Sequence, residues 1–351
     1  MERFSCWKLS EEKNLNSYIE SLRGLVDTTV EIKWEDDPLR NILYKLYDNE
    51  EDIFVKKKFE YNGDIEYICF GVKLERATRE SNWYQSKDIL KPRSERTKII
   101  DSKILIYGQD TDINIIIFST DKSASVIINT IFSNRTIWGK RERKHTSIND
   151  DMFYWMFKRF KSYPEEPLSA NSDLCITGLE GYLAKTREDR NVFRGVGNRI
   201  GAMIGTLAFL LSDSELRSLK PELQHNDSTF KIEMTSNNSY TILDGGYDGE
   251  LNYKYKGLEI EKINNIIIYI DLYIIPKIIE AYNINVNMDL WSKQFKLDFL
   301  KDIGVEIAER VAKEVAKLKK EIEELDDCEE IQDGKAMDYE MSDEEMMKDL
   351  E

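Results

Sequence analysis

The stretch that most restricts the fold is a pair of alternating runs, Ile53 to Tyr61 and Ile65 to Leu74, joined by Asn62-Gly63. Period-two alternation on both sides of an Asn-Gly pair is the pattern of an antiparallel hairpin, because that dipeptide tolerates the positive φ angles of a type I′ turn. Strand-like runs rich in β-branched residues follow at Ile99 to Tyr107, Asn114 to Ser119 and Ser125 to Ile131. Upstream, Leu15, Ile19, Leu22 and Val26 have helical spacing, Val30 to Trp34 alternates as a strand, and Leu39, Leu43, Leu46 and Tyr47 suggest a second helix. The fold class expected is α+β, with a mainly antiparallel N-terminal sheet. A helix bearing Met152, Phe153, Met156, Phe157 and Phe160 starts at Ser147 to Asp150, and Pro164 and Pro167 then mark a boundary. The first domain is therefore set at residues 1–164.

In the second half, residues 165–325, a strand is expected around Leu174 to Leu183, then a glycine-laced helix ending at Leu211, then a helical turn at Ser214 to Leu219. Thr229 to Thr235 and Tyr240 to Leu243 read as a hairpin across Asn237-Asn238, with Glu250 to Tyr255 as a third strand of a meander. Ile260 to Tyr282 reads as a helix kinked near Pro276. From Leu290 to Leu325 the pattern is helical, and Val311, Val315, Leu318, Ile322 and Leu325 alternate 4 and 3 residues apart. That heptad stripe suits either a coiled coil or packing against its own domain.

The charge layout is uneven. The net charge is −16, yet residues 326–351 hold 12 acidic and 2 basic residues, or −10, leaving −6 for the rest. This acidic tail is expected to be disordered, with Ser342 to Glu345 able to cap a short helix on binding. The body of the chain can thus still meet an anion. Cys6, Cys69, Cys175 and Cys328 lie far apart, which argues against a zinc ribbon or a disulfide framework. No apolar leader opens the sequence, and the apolar run Ile263 to Ile279 is broken by Asn264, Asn265, Asp271 and Pro276. The expectation is a cytoplasmic chain with no membrane partner.

Chemistry-bearing motifs are weak. Gly195, Gly197 and Gly201 superficially match a dinucleotide turn, but no buried strand directly precedes them. A helical wheel places Gly197, Gly201, Gly205 and Ala208 beside the apolar arc Val196, Ile200, Met203, Ile204, Leu207, Leu210 and Leu211, which suggests close backbone packing, with Asn191 as N-cap. There is no nucleophile elbow, and His145 and His225 lie in polar loops where surface positions are expected. Glu233, Asp244 and Asp248 surround a glycine-rich stretch and form the alternative reading, a Mg²⁺ site for a nuclease or phosphodiesterase. Otherwise no cofactor and no catalytic residue is expected.

The basic segments carry the functional expectation. Arg135, Lys140, Arg141, Arg143 and Lys144 cluster around Trp138; Lys185, Arg187, Arg190, Arg194 and Arg199 cluster before the glycine helix. Cations interleaved with an aromatic suit a phosphate backbone and a stacked base. The expected function is non-enzymatic binding of DNA or RNA, with a larger assembly such as a phage-defence complex as one setting for it. A scaffold or adaptor role, with protein partners or a second copy meeting the C-terminal helix or the acidic tail, is the remaining reading.

Overall fold

The computed structural model describes residues 1–10, 13–34, 37–87, 89–170, 172–185, 192–197, 204–212 and 214–345, with side chains as far as residue 322. In chain order the first half forms β1 (Glu2–Leu9), α1 (Leu15–Arg23), β2 (Asp27–Val30), β3 (Leu39–Tyr44), β4 (Lys57–Phe59), β5 (Asn62–Ala77), β6 (Tyr84–Ser86), β7 (Ile89–Leu90), α2 (Arg93–Arg96), β8 (Thr97–Gln109), β9 (Asp112–Ile117), α3 (Asp121–Ile131), α4 (Arg135–Trp138), β10 (Arg141–Arg143) and α5 (Asp150–Ser162). The second half forms β11 (Cys175–Lys185), β12 (Val192–Val196), α6 (Ile204–Leu211), β13 (Glu215–His225), β14 (Ser228–Thr235), β15 (Ser239–Asp248), α7 (Leu251–Lys254), α8 (Glu259–Tyr269), a π-helical stretch Ile270–Ile274, α9 (Ile275–Asn287) and α10 (Lys293–Glu345). The fold class is α+β, as the alternation implies.

One antiparallel sheet joins the two halves, in the order β12-β11-β13-β14-β15-β1-β9-β8-β5-β3-β2, with β10 beside β1 and β4 beside β5. The join is β1: Glu2 to Ser5 pair with Ile242 to Ser239, and Ser5 to Lys8 pair with Ile117 to Asn114. Because this strand ties the halves together, the chain does not divide at the proline-containing stretch 163–172. It divides into two compact units, one of residues 1–201 and 214–293 and the other of residues 202–213 and 294–351. In the second unit, Gly304 of α10 leaves room for Leu211 of α6, whose δ-carbon lies 3.6 Å from where a Cβ would be.

Within the first unit the sheet is covered on both faces. Ile68, Phe70, Val72, Leu74, Ile104, Ile106, Ile115 and Ile117 share a core with Tyr18, Ile19 and Leu22 of α1 and Ile127, Ile128 and Ile131 of α3. Alternation sends Tyr67, Cys69 and Tyr107 to the opposite face. There they meet Asn265, Asn264 and Asp271 from the α8-to-α9 rod.

Several local expectations change under tertiary pairing. Leu39 and Leu43 lie in strand β3, since a spacing of four residues shares one face in a strand as well as in a helix. Residues 125–131 belong to helix α3, whose buried Ala124, Ile127, Ile128 and Ile131 follow the 3.6-residue period. Ser214 to Leu219 opens strand β13, and Glu250 to Tyr255 forms the single turn α7 instead of a strand. The helix at 260–282 is present, and its irregularity is the π stretch just before Pro276. Pro276 has no N–H to return to the preceding turn, and the Ile275 N–H donates to the Ile270 carbonyl. Helical backbone runs through the heptad stretch into the acidic segment as far as Glu345.

The glycine-laced helix does not include Val196 and Gly197, where its periodicity begins. Val192–Val196 is strand β12, paired with Gly181 to Lys185, and helix is described only over Ile204–Leu211. Gly197 has φ +143°, outside any helix, and open space surrounds Gly205 where close packing was expected. Asn191, Ile200, Gly201 and Met203 lie outside the described residues. Strand pairing by β-branched Val192 and Val196 has outweighed a helical wheel that is equally apolar either way.

The Asp244-Gly-Gly stretch is a bulge inside β15. Phe230 faces Tyr247, yet Ile232 faces Ile242, so β15 carries extra residues between these pairs. Gly245 has φ +62° and open space, whereas a Cβ on Gly246 would lie 2.6 Å from the Leu243 carbonyl oxygen and 2.7 Å from that of Lys231. Gly246→Ala is expected to cost about 1–3 kcal/mol or more, because backbone on both sides must move. Gly245→Ala is expected to cost about 1–2 kcal/mol from backbone strain alone. Urea midpoints of the two variants test the order; equal or inverted midpoints would contradict it.

Candidate functional site

The basic segment 135–145 looks contiguous in sequence, but strand β10 splits it. Trp7↔Arg143 and Leu9↔Arg141 pair across β1, so Arg141 and Arg143 share one side of the strand and the residues between and after them face the other. Arg141 donates to the Ile128 and Phe132 carbonyls at 3.3 and 2.9 Å, capping the open end of α3. Arg143 pairs with Asp121 at the other end of that helix at 2.5 Å, and stacks 5.1 Å from the Trp7 ring centre. Lys140 pairs with Glu142 at 2.5 Å, while Arg135 is exposed at the start of α4. Trp138, expected to stack on a base, is 1% exposed; it stacks on Tyr18 at 5.5 Å and meets Phe132 edge-on at 4.9 Å. The first basic patch is therefore mostly internal scaffolding.

Lys144 and His145 turn to the other face and converge on Asp271. Lys144 Nζ donates to Asp271 Oδ2 at 2.7 Å and to Tyr107 Oη at 3.3 Å. His145 Nε2 lies 2.6 Å from Asp271 Oδ1, and the Tyr107 hydroxyl donates to Oδ2. Asp271 is fully buried, and the His145 side chain is 7% exposed. Burial pushes the Asp271 carboxyl up, but Lys144 and His145 together outweigh it and hold it well below the usual carboxylate range. A surface position was expected for His145; it sits instead in this buried cluster, with φ +60°. Asp271 itself belongs to the π stretch, a distortion frequent at functional sites.

Cys6, His145 and Asp271 each offer one ligand atom, all within 4.8 Å of one another. The local charge opposes a cation there. Burial and the Asp271 carboxylate drive the Cys6 thiol well above its ordinary value. The Lys144 ammonium already occupies the carboxylate. The arrangement suits a buried ion triad. Beside it, His145, Thr146 and Ser147 share a cleft of about 530 Å³ with Pro276, Ile279, Glu280, Asn283, Ile284 and Asn287.

His225, also expected at the surface, is 4% exposed, with Nδ1 2.7 Å from Tyr269 Oη and Nε2 2.9 Å from Asp173. Burial lowers its pKa against the pull of Asp173. The three acids of the metal reading do not converge. Glu233 accepts from Ser218 at 3.0 Å and lies 3.6 Å from Lys220; Asp244 holds the N-terminal ammonium at 2.7 Å; Asp248 lies 3.5 Å from Asn252 Nδ2. Glu233 lies on β14, and the bulge separates Asp244 from Asp248 along β15.

The second basic cluster is placed differently. Arg194 is exposed on β12, the strand that ends the sheet order, opposite Leu183 of β11. Phe193 beside it is 44% exposed, and Lys185 is half-buried at the end of β11. Arg187, Arg190 and Arg199 lie outside the described residues. Arg194 stands in a strand, not at the start of the glycine helix that its place in the sequence suggested. The Asp271 cluster was missed for a simple reason: Asp271 interrupts an apolar run, a sign of a buried polar partner that the sequence alone could not match to His145. No described helix is long and apolar enough to cross a membrane. The chain matches no protein-family model and no curated protein sequence.

Proposed function

We propose that the protein is a cytoplasmic, non-enzymatic binder of nucleic acid that engages the phosphate backbone through the β11–β12 hairpin. The single observation carrying the reading is the exposure of Arg194 beside half-exposed Phe193 on the last strand of the sheet. Successive residues leave opposite faces of a strand, so Arg194 offers a cation to phosphate on one face and Phe193 an accessible ring to a base on the other. In sequence, Lys185, Arg187, Arg190 and Arg199 flank Arg194 with further positive charge. The interface is thus narrower than the ten cations of the sequence, because Arg141, Arg143 and Lys144 are engaged inside the fold.

The test is a salt titration of binding to labelled single- and double-stranded DNA and RNA. Affinity is expected to fall linearly with salt on logarithmic axes, and Arg194→Ala is expected to reduce the slope by about one unit. Phe193→Ala is expected to weaken single-stranded binding by about 1–3 kcal/mol. Absence of binding at low salt, or binding untouched by Arg194→Glu, would overturn the reading.

A further inference from the structure

We propose that α10 joins two copies of this chain through a short parallel two-stranded coiled coil centred on Val315 and Leu318. The inference is independent of nucleic-acid binding and rests on another element. Val311, Val315, Leu318 and Ile322 form one stripe, spaced 4, 3 and 4 residues, and are 45%, 47%, 55% and 57% exposed. Every residue from 311 to 322 is exposed. This length of helix presents its stripe to solvent. A regular apolar stripe on such a helix fits a seam with a matching helix.

The residue types choose the partner. In this register Val315 and Ile322 take heptad position a, and Val311 and Leu318 take position d, so β-branched residues at a meet Leu318 at d at the centre of the seam. That combination favours two parallel strands. A second copy supplies the same stripe in the same register, as a two-fold axis along the seam requires. The flanking charges point the same way. Glu314 falls at position g and Lys319 at position e, so parallel pairing sets Glu314 of each copy against Lys319 of the other. Antiparallel pairing would set g against g, bringing the acids Glu314 and Glu321 to face acids. Within one helix, Lys317 at position c pairs with Glu321 at position g at 3.6 Å. One cost remains: parallel pairing also places two segments of charge −10 side by side. Salt screens that repulsion.

Analytical ultracentrifugation of the full chain tests the proposal. The mass is expected to rise with concentration towards twice 41.2 kDa. Leu318→Asp is expected to leave a monomer over the same range. Its melting curve should match the wild type, because the residue is not part of the core. Lys319→Glu should raise the dimer dissociation constant roughly tenfold, and adding Glu314→Lys should restore it by recreating opposite charges across the seam. A chain that stays monomeric at its highest soluble concentration would overturn the proposal. A dimer that survives Leu318→Asp would do the same, and charge reversal without rescue would overturn the parallel arrangement.

Discussion

Asp271→Ala is expected to destabilise the protein by about 3–5 kcal/mol, the usual consequence of removing one partner from a buried ion cluster. In a unit of this size that is a fall in melting temperature on the order of 10 °C. The reason is what the substitution leaves behind: a Lys144 ammonium, a His145 ring and a Tyr107 hydroxyl that all converge on the missing carboxylate. Asp271→Leu combined with Lys144→Met is expected to recover part of the loss, since two apolar residues leave no uncompensated charge. The same carboxylate gives a pH signature. Its folded pKa is depressed, so its contribution is fully present above the unfolded value near about pH 4 and is lost as the pH falls through the lower folded value. Asp271→Asn should lack that segment of the acid-unfolding curve. Should Asp271→Ala melt within a degree or two of the wild type, the triad is not what holds β10 and the π stretch together. The cleft beside His145 would then become the better reason for the cluster.

The second large effect is expected at Trp138. Trp138→Ala should cost about 3–5 kcal/mol, because the ring fills a core position between Tyr18 and Phe132 and leaves a cavity when removed. The result separates two roles for one residue. A nucleic-acid platform would lose binding and keep its stability, whereas a core tryptophan loses stability first. Chemical denaturation and a binding titration on the same variant decide between them. Trp138→Phe, which keeps most of the ring, should retain more than half of the lost stability.

These two residues also show where sequence reasoning stops. Trp138 stands among Arg135, Lys140, Arg141 and Arg143, and nothing local separates a ring that points into a core from one that points to solvent. The direction is set by β10 lying against β1, a contact between residues about 130 positions apart. Asp271 was visible as an interruption of an apolar run, and His145 as one of two histidines. Their meeting at 2.6 Å depends on the π stretch and β10 being packed against the same sheet. The carboxylates Glu233, Asp244 and Asp248 illustrate the reverse case. Closeness in sequence suggested a site, but Glu233 lies on β14 and the bulge at Gly245-Gly246 separates Asp244 from Asp248 along β15.

Local signals did determine a good deal. The amphipathic helices α1 and α5, the β14–β15 hairpin and the helix carrying the heptad stripe all follow from periodicity and turn chemistry; the β4–β5 hairpin is present, but it turns at Glu60-Tyr61, with Phe59 opposite Asn62 and with Asn62-Gly63 inside β5 instead of at a type I′ turn. These are properties of a residue and its near neighbours, so they survive without knowledge of the fold. The tertiary structure decided which ambiguous segments became strands. At β3, β12 and β13, strand pairing overrode a helical or mixed pattern, because hydrogen bonding to a neighbouring strand is available only once that neighbour is in place. It also decided which charges face water. Arg141, Arg143 and Lys144 are bound inside the fold while Arg194 is exposed on the last strand, a distinction of burial and partner that net charge along a sequence does not contain.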